Sequence, residues 1–337
     1  MKVLVAADRF MTARVMTDSL RKHLPDVEIA SIANDFPYTP LASIGDVDEA
    51  VGDEEELIAA LTGVEVCFTH THPFTRRVLE ACPQLRMVTV CRGGPVNVNL
   101  PAAADRGVVV TNTPGRNAAA TAEHTVAMIM AAVRQIPQRH NELAAGQWRG
   151  DYYDYEKVPL QIDGAVVALV GYGAVGSRVA AALRALGAHV RVYDPFLDSH
   201  LLPDGIEHAV SLEAALRDAN IVTLHARLTA ENRGMLGAEQ LALLNPGAVV
   251  VNCARGALLD ADALCDALES GYLGGAALDV FPVEPLPSDH RLLRAPHVVL
   301  TPHIAGASRG SAEVAARTGA EDIARYTRGE KVLHAVI

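Results

Sequence analysis

Three residues far apart in the chain, Arg255, Glu284 and His303, carry the side chains best suited to chemistry. Each lies in a loop that follows an expected strand: Arg255 after VVVNC, Glu284 after AALDV and His303 after VVLTP. In a parallel α/β sheet the loops beyond the strand C-termini gather around one ligand site, so the three can converge. Arginine binds a carboxylate through two hydrogen bonds and never loses its charge. Histidine moves protons near neutral pH. A carboxylate beside an imidazole orients the ring and favours its charged form. Reduction of a 2-keto acid requires these three functions besides a hydride donor: an anchor that polarises the carbonyl, a proton source, and a group that holds the source in place. Taken singly, each residue has a plainer alternative, a structural histidine or a surface ion pair.

The stretch that must position them is residues 165–194, AVVALVGYGAVGSRVAAALRALGAHVRVYD, which reads as strand, turn, helix, strand. Val166, Val167, Leu169 and Val170 form an apolar run suited to a strand buried on both faces. In the G-x-G-x-x-G that follows, Gly171 permits the tight turn and Gly173 lets a pyrophosphate approach the backbone. Gly176 lets the helix pack close to the strand. Val175, Val179, Leu183 and Leu186 form one helical stripe, and Gly187 stops the helix. The free amides and positive dipole end of that helix suit phosphate groups. The second strand, residues 189–193, ends at Asp194, where such a fold places a carboxylate on the adenosine ribose. A carboxylate there accepts from both ribose hydroxyls and repels a 2′-phosphate, which points to NAD rather than NADP. A glycine motif alone is weak; here the strand before, the helix after and the acid at the right distance agree.

The bulk properties narrow the class. A chain of 337 residues, half of them apolar, suggests two domains with sizeable cores. The net charge of −11 argues against a nucleic-acid partner. The densest acidic run, residues 46–56, reads as a solvated loop and helix start. Five cysteines without a C-x-x-C pair fit a reducing cytoplasm. The first apolar run is interrupted by Asp8 and reads as a strand rather than a targeting signal, and no apolar stretch reaches membrane-spanning length. His70 and His72 have no further ligand nearby in sequence, so no metal is expected.

Apolar runs at residues 2–6, 27–32, 64–69 and 87–90 alternate with helical patterns near 13–23, 54–61, 75–81 and 99–106. A strand over 107–113 precedes a helix over 118–134. Residues 136–160 are polar and aromatic, with Trp148, Tyr152, Tyr153 and Tyr155, and read as a surface arm or dimer contact in preference to a substrate mouth. Beyond the glycine motif, Ser211 and Asp260 are N-caps, strands fall at 221–225, 248–252, 276–280 and 298–301, and a last helix over 308–328 is long enough to return to the first domain. The expected fold class is α/β: a Rossmann-type doubly wound nucleotide domain over residues 112–305, plus a smaller flavodoxin-like α/β substrate domain from 1–111 and 306–337.

The segments VNCARGALLDADAL, AALDVFPVEPLP and VVLTPHIAG resemble the three signature segments of the D-isomer-specific 2-hydroxyacid dehydrogenases. The glycine motif, TNTPGRNAAATAEH and LHARLTAENRGML are similar too, and the resemblance runs from about residue 64 to 306. It implies that Arg255 binds the substrate carboxylate, that His303 is the acid/base and that Glu284 pairs with it. It also implies that Asp279 meets the nicotinamide carboxamide, and that Ala174, Val175, Cys253 and Ala254 add backbone and packing contacts to NAD. A cleft between domains would close on substrate and cofactor, and the assembly would be a homodimer. The substrate loop departs from the family: Cys91-Arg92-Gly93-Gly94-Pro95-Val96-Asn97 replaces the usual glycine-rich loop with Asp-Asn. The Gly93 and Gly94 amides can still bind a carboxylate. Arg92 is extra: it meets a second anionic group of the substrate, or it braces the loop through an ion pair. His70 and His72, in the neighbouring loop, are further candidates for substrate binding. The loop is similar to phosphoglycerate dehydrogenase-like members, although an end at Ile337 leaves no room for the regulatory domain that some of those carry. Two rivals share the fold: an NAD-sensing co-repressor, and an oxidoreductase acting on formate or phosphite.

Overall fold

The structure, a computed structural model, describes residues 1–198, 200 and 202–337. The chain divides into two compact units, Met1–Asn117 with Ser308–Ile337, and Ala118–Ala307.

In the first unit β1 (Lys2–Ala7), α1 (Ala13–His23) and β2 (Glu28–Ala33) are followed by a short hairpin, β3 (Ala42–Ile44) and β4 (Val47–Ala50). Then come α2 (Glu54–Ala60), β5 (Val66–Thr69), α3 (Arg76–Ala81), β6 (Met87–Val90), α4 (Leu100–Asp105) and β7 (Val109–Thr111). Side chains cap four of these helices: Thr12, Asp53, Thr75 and Asn99 each accept from first-turn amides. The main sheet runs β2-β1-β5-β6-β7, all parallel. Setting the hairpin aside, this is the 2-1-3-4-5 order of flavodoxin-like sheets, and the order reverses between β1 and β5. The helix Arg309–Thr327 packs on the same sheet, where Gly319 lies so close that a Cβ would meet the Phe68 ring at 2.4 Å. Asp322, fully buried in that helix, accepts from the Leu333 and His334 amides and ties down the tail, which pairs with β7 at Val110.

The second unit begins with α5 (Ala118–Val133) and α6 (Ile136–Ala144). Next are β8 (Val166–Val170), α7 (Gly176–Ala185), β9 (His189–Tyr193), β10 (Ile206–His208), α8 (Leu212–Leu216) and β11 (Ile221–Leu224). It closes with α9 (Ala238–Leu241), β12 (Val249–Asn252), α10 (Ala261–Glu269), β13 (Gly275–Leu278) and β14 (Val298–Leu300). The sheet runs β10-β9-β8-β11-β12-β13-β14, parallel throughout. This is the doubly wound 3-2-1-4-5-6 order with one strand added, reversing between β8 and β11. The apolar run of β8 serves both faces: Ala168 and Val170 join one core, and Val167 and Leu169 the other.

Two local expectations need correction, at residues 46–56 and at Leu186. The acidic run at 46–56 is not simply loop, because Val47 and Ala50 are buried and fold it into the β3–β4 hairpin. Within residues 136–160, α6 starts after Gln135, which turns the chain at φ 49°, and Pro137 sits in its first turn. Leu186 leaves the buried stripe of α7; it is the C-cap and is 40% exposed. Among the described residues, no helix is long and apolar enough to cross a membrane.

Candidate active site

At the reversal of the second sheet, Gly171 adopts φ 95°, and a Cβ there would lie 2.7 Å from the Ala226 amide. Only glycine fits. A Cβ on Gly176 would lie 2.1 Å from the Gly171 carbonyl oxygen, so this glycine brings α7 against the turn. Gly173 has open space where a Cβ would stand. No side chain caps the start of α7, where the Ser177 and Arg178 amides bond back to the Gly173 and Val175 carbonyls, and the dipole end of the helix faces the turn. Ala174 is exposed and Val175 partly so. Asp194 follows β9 and receives the Tyr172 amide at 2.8 Å and the Phe196 amide at 3.0 Å, which fix its carboxylate beside the turn. These features fit a dinucleotide: a helix start without a side-chain cap, an open glycine and an oriented carboxylate at the switch point of the sheet.

His225, immediately after β11, is a neighbour that sequence reasoning missed. Its Nε2 lies 3.0 Å from Thr223 Oγ1, and desolvation lowers its pKa to about 4, so the ring is neutral. The only available signal was its place at a strand end, and that does not single out a residue.

The loops after β12, β13 and β14 bring the three chemical candidates into one electrostatic unit. Asn252 closes the first loop, accepting from the Ala254 amide and donating to the Arg255 carbonyl. The Arg255 side chain is exposed and donates to the Ala254 carbonyl at 2.7 Å. Gly256 locks this loop to the next, because a Cβ there would sit 2.0 Å from the Phe281 carbonyl carbon. The Phe281 amide in turn donates to Glu284 Oε1 at 2.9 Å. The other carboxylate oxygen, Oε2, is 2.6 Å from His303 Nδ1. His303 holds this position from a left-handed backbone, φ 55°.

The charges reinforce the geometry. The hydrogen bond to Glu284 raises the His303 pKa above its ordinary value; burial and Arg255 oppose the shift without cancelling it. Burial pushes the Glu284 carboxyl up, but the His303 bond, the Phe281 amide and the charges of His303 and Arg255 outweigh it and leave the pKa lowered. Both partners thus favour the ionised pair. With Nδ1 engaged, Nε2 is the nitrogen left to meet a substrate.

Asp279, the first residue past β13, is fully buried. It accepts from Thr301 Oγ1 at 2.6 Å and from the Ile304 and Ala305 amides at 2.9 and 2.8 Å. It therefore shapes the segment that carries His303. His124 of α5 supports the same cluster, its Nε2 lying 3.1 Å from Thr301 Oγ1. Neither His124 nor Thr301 was singled out in the sequence, because each matters only through these long-range partners. Cys253 is buried, which pushes its thiol up to about 12, and Ala254 is half-buried; they can supply backbone and packing surface but no reactive group.

The candidates in the first unit lie apart from this cluster in the chain and follow the ends of its strands. Gly93 and Gly94 are exposed, and the Gly93 carbonyl accepts from Asn112. Arg92 pairs with the Glu49 carboxylate and also donates to the Glu49 carbonyl at 2.9 Å, which is the bracing ion pair. His70 is buried, with Nδ1 2.6 Å from Asp8 Oδ2. His72 is also buried, and burial lowers its pKa to about 4. Among the described residues, no three His, Cys, Asp or Glu side chains are grouped to hold a metal ion.

Residues 126–305 match the family model described as D-isomer specific 2-hydroxyacid dehydrogenase, NAD binding domain. The glyoxylate reductase of Korarchaeum cryptofilum is 35% identical over 283 residues, covering 84% of this chain and 82% of that protein. The D-3-phosphoglycerate dehydrogenase of Bacillus subtilis is 35% identical over 262 residues, 78% of this chain and 49% of that protein. The chain thus spans about half the length of that relative. The crystal structure of TT0316 protein from Thermus thermophilus superposes over the whole of both chains with a TM-score of 0.81 at 30% identity. The chain belongs to the D-isomer-specific 2-hydroxyacid dehydrogenase family, and its second unit contains the NAD-binding domain of that family.

Proposed function

We propose that the chain is an NAD-dependent D-2-hydroxyacid dehydrogenase that interconverts a 2-keto acid and its D-2-hydroxy acid. The observation that carries this reading is the 2.6 Å His303–Glu284 hydrogen bond in loops joined to that of Arg255. A bound nicotinamide would supply the hydride chemistry, as donor in its reduced form and acceptor in its oxidised form. Arg255 binds the substrate carboxylate and withdraws charge from the carbonyl. His303 holds a proton on Nε2 and gives it to the carbonyl oxygen during reduction, or takes it back during oxidation. Glu284 keeps the ring oriented and charged. Asp279, fully buried, fixes the His303 segment, and through that segment it would shape the place of the cofactor's carboxamide. Ala174, Val175, Gly173 and Asp194 hold the dinucleotide, and Cys253 and Ala254 line it.

Within the first unit, the exposed Gly93 and Gly94 amides are suited to bind a carboxylate. The names of the relatives, glyoxylate reductase and D-3-phosphoglycerate dehydrogenase, bracket the substrate between a small keto acid and one bearing a second anionic group. The exposed Trp148, Tyr153 and Tyr155 support a homodimer, and the five free buried cysteines support a reducing, cytoplasmic setting.

Loss of NADH absorbance measured against glyoxylate, hydroxypyruvate, phosphohydroxypyruvate and 2-oxoglutarate tests the reading. Turnover of at least one keto acid is expected. NADH binding with no turnover of any of them would favour a sensor role and overturn the proposal.

A further inference from the structure

A second line of contacts reaches the His303 segment, from α5 rather than from Glu284. All of its members belong to the second unit. His124, partly buried on α5, places Nε2 3.1 Å from Thr301 Oγ1 and 3.6 Å from Asp279 Oδ1. Thr301 is the first residue past β14, and Asp279 the first past β13.

The hydrogens in this line can be counted. A threonine hydroxyl has one hydrogen to give and lone pairs with which to accept. The Asp279 carboxylate is fully buried, already accepts the Ile304 and Ala305 amides, and has only lone pairs to offer. Its Oδ1 lies 2.6 Å from Thr301 Oγ1, so the hydroxyl hydrogen is spent there. Met128 Sδ, 4.0 Å from the same hydroxyl, is too weak an acceptor to compete. Toward His124 the hydroxyl oxygen can only accept, and Nε2 must carry a hydrogen. A ring protonated on Nδ1 alone would set two lone pairs against each other at 3.1 Å.

The consequence falls on His303. Thr301, two residues before it, and Ile304, the next residue after it, are tied to one oxygen, Asp279 Oδ1. Across the turn the His303 amide donates to the Thr301 carbonyl at 3.0 Å. Inside this clamp His303 keeps a left-handed backbone, φ 55°, which a residue with a side chain holds only where its surroundings impose it. Hydrogen bonds in series polarise one another, so a donor on Thr301 strengthens the bond from Thr301 to Asp279.

We propose that His124 is a positioning residue for the proton transfer: as an Nε2–H donor it aims the Thr301 hydroxyl at Asp279, which holds the His303 backbone so that the ring meets Glu284. This rests on the dehydrogenase reading and adds to it a residue that acts on His303 only through Thr301 and Asp279.

The test reads the His303 imidazole without turnover. The groups that face that ring are Glu284 and Asp279, which raise its pKa, and Arg255, which lowers it. The ring-nitrogen NMR signals are titrated in the isotope-labelled full chain, and His303→Gln identifies them by their loss. His124→Leu fills the space but donates nothing. Its His303 midpoint should fall by ~0.5 pH unit or more, because a ring free to leave Glu284 loses the bond that favours its charge. His124→Gln, whose amide nitrogen stands as many bonds from the backbone as Nε2, should keep the wild-type midpoint. Thr301→Val should reproduce the His124→Leu shift, and the double variant should shift no further. An unmoved midpoint in His124→Leu, even with a lower melting temperature, would show a purely structural role and overturn the inference. Equal shifts in both His124 variants, or shifts that add in the double variant, would do the same. So would wild-type spectra with His124 protonated on Nδ1 alone, a readout that needs no variant to fold. In keto acid reduction His124→Leu should lower kcat ~10-fold and His124→Gln should restore it. A wild type that turns over no keto acid would remove the dehydrogenase reading, while the titration would still decide whether His124 positions His303.

Discussion

Glu284→Gln separates the two tasks assigned to this carboxylate. The amide can still accept from His303 Nδ1, now 2.6 Å from Oε2, but it carries no charge. Two unit charges at hydrogen-bonding distance attract by about 4 kcal/mol at an effective dielectric constant of 20. Here the side chains of His303 and Glu284 are 50% and 35% exposed, so solvent screening reduces this to about 1–2 kcal/mol. That corresponds to about a tenfold change in the balance between imidazolium and imidazole. The sign follows from the direction of the shift. Glu284 raises the His303 pKa, so its removal moves the ring toward the neutral form, and Arg255 is left to push it further the same way. Reduction needs the imidazolium. Its rate in wild type should fall as pH rises through the raised His303 pKa, and in Glu284→Gln the fall should begin at lower pH. The loss should be about tenfold on the alkaline side and slight on the acid side. Profiles of kcat/KM for keto acid reduction between about pH 5.5 and 9 make the comparison. An equal loss at every pH with an unmoved midpoint would refute the charge argument and leave Glu284 a purely geometric role.

Other consequences are open to measurement. Gly256→Ala forces a methyl group into the Phe281 carbonyl, so it should cost about 2–4 kcal/mol in denaturant unfolding and disturb the Glu284 loop; unchanged stability would mean the close approach is not real. Asp194→Ala should weaken NADH binding ~10-fold or more and narrow the preference over NADPH; a variant as selective as wild type would show that Asp194 serves only the turn. Asp279→Asn replaces an acceptor of three donors with a group that must donate on one side, and it should lower both stability and kcat through the His303 segment, whereas a loss confined to NADH affinity would contradict that support role.

The parts legible in the sequence were those whose cause is local. The β8–turn–α7 unit shows in an apolar run and a glycine spacing, and Gly176 against the Gly171 carbonyl has its steric reason within a few residues. Ser211 and Asp260 cap helices for equally local reasons. What stayed hidden depends on partners far along the chain. Asp279 and His124 gain their roles from Thr301 and its neighbours, and Gly256 from Phe281. Arg92 owes its ion pair to Glu49, which lies on a hairpin that its acidic sequence disguised.

Proton transfer by His303 is tested most directly by a single-turnover measurement of NADH oxidation in His303→Gln against wild type, with NADH affinity measured alongside. If His303 is the acid, the rate constant falls by roughly two to four decades while NADH binding is retained. A rate within about threefold of wild type, with substrate and cofactor bound, would mean that the proton comes from elsewhere and that the His303–Glu284 pair is structural.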